Sequence, residues 1–234
     1  MELISLLAAA IAPGASLLAY FYLKDKYESE PIKLVGKLFV FGILLVFPTM
    51  IFQRGLELAG GDNPVMFSFV VSASVEEFFK WFVLYFVIFS HKEFDEPYDG
   101  IVYAVSLSLG FATMENLLYA FLNEMSFSSL LMRALLPVSG HALFGVMMGY
   151  YLGKAKFVPA HARRKWLIYS LLLPIIWHGL FDYIILVFKH FTWVIVPFMA
   201  LLWAGCIWRV KRANLRSPYR SLQRDPDVKG INFP

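Results

Sequence analysis

The feature that most constrains this chain is a pair of adjacent acids, Glu76 and Glu77, inside the apolar stretch 65–89. A stretch of that length is long enough to cross a bilayer as a helix. On insertion scales, an ionisable side chain at the centre of a membrane helix costs about 2.5–3.5 kcal/mol. Two acids in succession, with Lys80 one turn later, therefore need a structural or a chemical purpose.

The composition is that of an integral membrane protein. Of the 234 residues, 59% are hydrophobic and only 16% are charged, whereas soluble domains carry about 25% charged residues. We expect a multi-pass protein of the cell membrane that contacts the lipid bilayer and does not bind nucleic acid. The single cysteine, Cys206, excludes an intrachain disulfide and a cysteine-rich metal site.

Charged residues divide the chain into seven apolar segments, each close to the length of a spanning helix. The segments are 3–23, 34–52, 65–89, 98–122, 129–153, 166–188 and 191–208. This pattern predicts an all-α fold, a polytopic membrane bundle of about seven transmembrane helices. Residues 1–208 would form the membrane domain, and residues 209–234 a basic tail that we expect to be disordered.

The basic residues indicate how the bundle is oriented. They concentrate after the first segment, after the fifth segment and in the tail, whereas the alternate loops hold only Arg54 and Lys189. Cytoplasmic loops carry an excess of Lys and Arg. The sequence therefore predicts an N-terminus outside the cell and a C-terminal tail in the cytoplasm.

This orientation places the polar side chains of four segments at one level of the membrane. Glu76, Glu115, His141, His178 and Asp182 all fall between the midplane and the outer face. At ~1.5 Å per residue, they lie roughly 9–18 Å below the outer boundary of the hydrocarbon core. Scattered structural polar groups need not share a level, whereas the residues of one site must.

Two pairs of residues have the spacing of one helix face. Glu76 and Lys80 are four residues apart and can form an ion pair, and His178 and Asp182 have the same spacing. Of two neighbouring carboxyls in a poorly solvated site, one can act as a base toward water while another acts as an acid. A structural ion pair that fixes helix packing is the alternative interpretation.

Glu115, Asn116 and His141 could complete the same site or could support it from outside. Near His141, the series Gly145, Gly149 and Gly153 predicts a close-packing helix surface. Asp99 begins the fourth segment, where an acid suits a helix N-terminus.

In combination, these residues resemble the PrsW family of bacterial intramembrane proteases, which is related to the CAAX prenyl endopeptidases and CAAX-protease-like membrane proteins. The resemblance spans about residues 10–205. The sequences that carry it are Glu76-Glu77-Phe78-Phe79-Lys80, Phe94 to Tyr103, Gly110 to Asn116, Arg133 to Gly145, and His178-Gly179 with Asp182.

The resemblance implies a protease that makes the first, outer-side cut in a single-pass, membrane-anchored anti-sigma factor. It implies essential roles for Glu76, Glu77 and His178, with Glu115 and His141 as further catalytic candidates. Lys80, Asn116 and Asp182 are then the supporting residues.

Two mechanisms are open for such a protease. We expect water activated by a glutamate, with His178 stabilising the oxyanion and no cofactor. The alternative is a zinc site made of His141, His178 and Glu115. Outside the protease class, the buried acids would also suit a proton-coupled transporter, and a non-catalytic scaffold could retain them as ion pairs.

Overall fold

A computed structural model describes residues 3–60, 63–122, 127–188 and 192–222, which are folded as a bundle of helices. The predicted all-α membrane bundle is confirmed. The helices are α1 (Leu3–Tyr22), α2 (Ile32–Leu58), α3 (residues 64–88), α4 (Asp99–Leu122), α5 (residues 127–156), α6 (Ala160–Val187), α7 (Thr192–Asn214) and the short α8 (Tyr219–Leu222).

Within the described residues, five helical stretches are long and apolar enough to cross a membrane. They are α2, α4, Leu131–Lys156 within α5, α6 and α7. Short connections between packed helices make successive helices run in opposite directions. The ends of α2, α4 and α6 and the starts of α3 and α5 therefore meet at one end of the bundle.

Helix α4 is the centre of the bundle. Residues 99–113 of this helix are all buried, and α1, α2 and α5 pack around it. Many apolar side chains of α2, α6 and α7 are instead exposed at the surface of the bundle. This pattern is the one expected of a bundle whose outer helices contact lipid.

The glycine series on α5 is a close-packing surface, as predicted. A Cβ atom on Gly149 would overlap with the carbonyl oxygen of Gly100 on α4, and one on Gly153 would overlap with that of Pro97. A Cβ on Gly145 would lie 2.9 Å from Ser108 Oγ. The surface brings α4 and α5 together inside one chain.

Helix α3 changes geometry three times along its length, after an α-helical start at Pro64–Met66. Phe67–Ser74 and Leu84–Ile88 are π-helical, and the α-helical stretch Val75–Val83 lies between them. Such wide turns are uncommon and often occur at functional sites. The stretch between them carries Glu76, Glu77 and Lys80.

The basic tail does not begin as disordered chain. Helix α7 continues past Arg209 to Asn214, so the prediction of disorder is wrong for residues 209–214. Lys211 and Arg212 lie in its last turn, where cations interact favourably with the helix dipole. Residues 223–234 lie outside the described residues.

Asp99 is the first residue of α4, but its carboxylate holds the preceding loop. Its Oδ2 accepts hydrogen bonds from the backbone N–H groups of Asp95 (2.8 Å) and Glu96 (2.7 Å). Two further acids, Asp25 and Glu30, lie in the connection between α1 and α2. Burial raises the pKa of Asp25 to about 8 and that of Glu30 to about 7.

We predict that Gly149→Ala destabilises the protein by about 1–3 kcal/mol, because the new methyl group would force α4 and α5 apart. The free energy of unfolding, measured by denaturant titration in detergent, tests this. Gly36→Ala is the matched control, since a Cβ at Gly36 would have no atom within 4 Å. Equal stability of the two variants would contradict the close contact.

Candidate active site

Helices α3, α5 and α6 bring Glu76, Glu77, His141 and His178 together. Each residue offers one carboxylate oxygen or imidazole nitrogen, and these four atoms all lie within 4.8 Å of one another. All four side chains are buried. The predicted convergence of polar groups from separate helices is therefore present in the structure, while the roles of the residues stay predictions.

Lys80 lies between the members of this cluster. Its Nζ is 3.2 Å from Glu76 Oε2, 2.8 Å from Glu77 Oε1 and 3.1 Å from His141 Nδ1. The side chain is fully buried, and Nζ also lies 4.2 Å from the centre of the Phe111 ring. The predicted pairing of Glu76 with Lys80 is confirmed, and Glu77 shares the same ammonium group.

His178 is oriented by acids on both sides of its ring. Its Nδ1 is 3.0 Å from Glu77 Oε1, whereas Nε2 is 4.0 Å from Glu76 Oε2 and 3.5 Å from Asp182 Oδ2. Asp182 in turn accepts a 2.6 Å hydrogen bond from Ser72 Oγ. Because a carboxylate fixes the tautomer of its imidazole, Glu77 favours a proton on Nδ1, and Nε2 faces Asp182 and, at a greater distance, Glu76.

His141 has a comparable arrangement. Its Nδ1 faces Lys80, and its Nε2 is 2.9 Å from Glu115 Oε2. Glu115 is therefore a partner of one histidine and is not among the four clustered residues. The zinc set suggested by the sequence contained Glu115, whereas the structure places Glu76 and Glu77 beside the two histidines.

Asn116 lies outside the cluster and connects helices. Its Oδ1 accepts a 3.0 Å hydrogen bond from Arg133 Nε on α5, and its Nδ2 donates to the carbonyl of Ala10 on α1. The Arg133 guanidinium lies 3.7 Å from the centre of the Tyr119 ring. Asn116 thus supports the site by holding α1, α4 and α5 in place.

A cavity of about 730 Å³ reaches the cluster from the end of the bundle where α2, α4 and α6 terminate. Glu76, His178, His141, Glu115 and Asp182 are among the residues that line it. Glu77 and Lys80 lie behind them, with no exposed surface. Water or substrate that enters the cavity therefore contacts Glu76 and His178 before it could reach Glu77 or Lys80.

Gln53 is a residue of the site that the sequence pattern does not indicate. Its Nε2 donates a 3.1 Å hydrogen bond to Glu76 Oε1, the oxygen that Lys80 does not contact. Gln53 lies just beyond the apolar segment 34–52, a position typical of an interfacial residue. The sequence feature that could have indicated Gln53 is an uncharged polar side chain at about the same membrane depth as Glu76.

These contacts define an integral membrane protein with a buried glutamate–histidine centre beside a cavity, an arrangement suited to hydrolysis within the membrane. Comparison with known proteins identifies its family. The sequence profile described as PrsW family intramembrane metalloprotease matches residues 30–206. No solved structure matches the chain.

Three similar proteins align with this chain over most of their length. Protease PrsW of Halalkalibacterium halodurans is 52% identical over 213 residues, which cover 90% of this chain and 97% of the relative. Protease PrsW of Geobacillus kaustophilus is 49% identical, with 96% and 98% covered. Protease PrsW of Bacillus subtilis is 46% identical, with 90% and 96% covered.

The chain belongs to the PrsW family of intramembrane proteases. It is a peptidase and a multi-pass membrane protein. The resemblance identified from the sequence is confirmed, and membership of a protease family argues against the transporter and scaffold interpretations.

We predict that Lys80→Met lowers the free energy of unfolding by about 3–5 kcal/mol, because it leaves two buried acids without their cation. Denaturant titration of the purified protein measures this loss. Lys37→Met serves as the control, since Lys37 is an exposed lysine on α2. A Lys80→Met protein as stable as this control would show that the buried contacts contribute little.

Proposed function

We propose that this protease makes the first cut in a membrane-anchored anti-sigma factor, on the outer side of the membrane. The observation that carries the proposal is the convergence of Glu76, Glu77, His141 and His178 within 4.8 Å beside an open cavity. The anti-sigma substrate is inferred from the resemblance to the family.

The distribution of basic residues supports an outer-side cut. The cavity opens at the end of the bundle where α2, α4 and α6 terminate. The opposite end holds Lys24, Lys26, Arg163, Arg164 and Lys165. Under the positive-inside rule, the basic end faces the cytoplasm, and a substrate segment outside the membrane reaches the cavity directly.

The contacts support separate roles for the two glutamates. Glu76 lines the cavity, so it is placed to take a proton from water while the water oxygen attacks the peptide carbonyl carbon. The same carboxyl can then deliver that proton to the leaving nitrogen. Glu77 is fully buried and accepts from His178 Nδ1–H, and in the metal-free mechanism a protonated His178 would donate its Nε2–H to the oxyanion.

The residues present also fit a divalent metal. Two imidazoles and two carboxylates form a donor set typical of Zn²⁺. Lys80 Nζ lies within 3.2 Å of three of these four residues, so a metal held by them would take the place of this ammonium group. Glu77 Oε2 is buried without a hydrogen-bond partner among the described residues.

We therefore favour the metal-dependent mechanism over the metal-free one that the sequence favours. His141 and His178, together with Glu76 or Glu77, would hold the metal. When bound, Zn²⁺ makes water nucleophilic near neutral pH and polarises a substrate carbonyl. Glu115 would keep His141 Nε2 occupied and its Nδ1 directed toward the centre.

We predict that Glu76→Gln and His178→Ala each reduce cleavage by about 10²-fold or more, because each removes a group that acts on the reacting atoms or would hold the metal. The assay follows cleavage of a membrane-tethered anti-sigma factor by the reconstituted protein. Glu28→Gln and His161→Ala are the controls, because both residues are exposed and lie outside the cavity. Undiminished cleavage by the site variants would refute the proposal.

Removing metal separates the two mechanisms. We predict that a strong zinc chelator abolishes cleavage by the wild-type protein and that added Zn²⁺ restores it. Metal analysis of the dialysed protein should find about one zinc per chain, and His141→Ala should lose it. Full activity after chelation, in a preparation with no zinc, would favour the metal-free mechanism.

A further inference from the structure

A second group of acids lies at the end of the bundle opposite to the catalytic cavity. Asp25 and Glu30 come from the connection between α1 and α2, and Asp99 begins α4. Glu96, from the connection between α3 and α4, points into this group. Carboxylate oxygens of Asp25, Glu96 and Asp99 all lie within 4.8 Å of one another.

This group is enclosed by protein. Glu96 and Asp99 have no exposed surface, and Glu30 is 5% exposed. The Tyr103 hydroxyl lies between Glu30 Oε2 and the backbone carbonyl of Glu93, which is 3.0 Å away, and its single proton can be donated to one of them at a time. Water can therefore screen the repulsion between these carboxylates only poorly.

Among the residues that the structure describes, neither carboxylate oxygen of Glu96 has a hydrogen-bond partner, which is rare for a buried polar group. Within the same part of the chain, both oxygens of Asp25 and Asp99 Oδ1 are also buried without a partner. Asp99 Oδ2 is different, because it accepts from two backbone N–H groups. The unpaired oxygens therefore belong to the three residues whose carboxylates come together.

Among the described residues, no lysine, arginine or histidine nitrogen forms an ion pair with Asp25, Glu96 or Asp99. Lys156 is directed elsewhere, because its Nζ donates a 2.9 Å hydrogen bond to the carbonyl of His91 and lies over the Phe94 ring. Three buried carboxylates at this separation need either protons or a cation from solution.

We propose that Asp25, Glu96 and Asp99 bind a hard divalent cation, Mg²⁺ or Ca²⁺. The carboxylate donors are all oxygen atoms, which these cations prefer, in contrast to the histidines of the catalytic cluster. Glu30 stands beside the site as a fourth carboxylate. The bound cation joins the α1–α2 connection, the α3–α4 connection and the start of α4.

The site has a structural consequence for the rest of the bundle. Helix α4 carries Glu115 and is packed against α5, which carries His141. A cation at the first residue of α4 fixes this helix relative to α1 and α3. Loss of the cation should therefore loosen the end of the bundle that carries the acids, without removing any residue from the catalytic cluster.

The test is a thermal unfolding titration of the full-length protein in detergent, with zinc supplied throughout and Mg²⁺ or Ca²⁺ added. At a concentration about 100 times the Kd, the bound cation should raise the Tm of the wild-type protein by roughly 5 °C or more. Glu96→Gln and Asp25→Asn should lose this shift. Asp95→Asn should keep it, because Asp95 is an exposed acid that pairs with Tyr219.

Terbium luminescence provides a direct second measurement. Tb³⁺ substitutes for Ca²⁺, and excitation of the nearby Tyr98 and Tyr103 should sensitise its emission. Wild type and Asp95→Asn should show emission that Ca²⁺ displaces, and Asp25→Asn should show little. This comparison keeps the proposal testable if Glu96→Gln fails to fold.

Two outcomes would overturn the proposal. The first is that neither cation changes the Tm of the wild type, while Glu96→Gln raises the Tm measured at a pH above 8. The carboxyls would then hold protons and no cation. If wild type and Glu96→Gln gain equal stability from the cation, binding occurs elsewhere. Neither outcome affects the proposed proteolysis, which is measured on Glu76 and His178 variants.

Discussion

The structure depends on how one buried ammonium group is neutralised. Lys80 is fully enclosed, and its Nζ contacts Glu76, Glu77 and His141 at 3.2, 2.8 and 3.1 Å. Lipid offers no group that could replace these contacts, so a displaced partner would leave a charge in a medium of low dielectric constant. Helices α3 and α5 must therefore be positioned so that all three contacts form together.

The packing of α4 provides that positioning. Gly145, Gly149 and Gly153 let α5 lie directly against the backbone of α4, and this approach brings His141 within 2.9 Å of Glu115. On the other side, Glu77 holds His178 of α6. Each histidine thus has one nitrogen fixed by a glutamate and the other directed toward the shared centre, which is the orientation that either proposed mechanism requires.

Much of this site could be predicted from the sequence, because helical spacing and membrane depth constrain it strongly. The spacing of four residues predicts the contacts of Glu76 with Lys80 and of His178 with Asp182, and the common depth predicts that these pairs meet. The sequence could not decide which glutamate meets which histidine. That choice depends on the rotation of each helix, and the π-helical turns of α3 alter the rotation by amounts that periodicity does not reveal.

Loops and helix ends were predicted less well. Asp25, Glu30 and Glu96 lie in short polar connections, and composition alone suggests that such residues are solvated, whereas tertiary packing buries Glu96 completely. Helix α7 extends six residues beyond its apolar segment, from 208 to Asn214. Hydropathy detects the lipid-facing part of a helix and not the turns that continue into water.

The central claim is that side chains on different helices form one energetically coupled centre. A double-mutant cycle on Glu77→Gln and His178→Asn, measured by the free energy of unfolding, tests this coupling without relying on a substrate or a metal. In a coupled centre, the two losses should be non-additive by about 1 kcal/mol or more, as for residues in direct contact. Strictly additive losses would show that α3 and α6 keep separate polar groups and that no coupled centre exists.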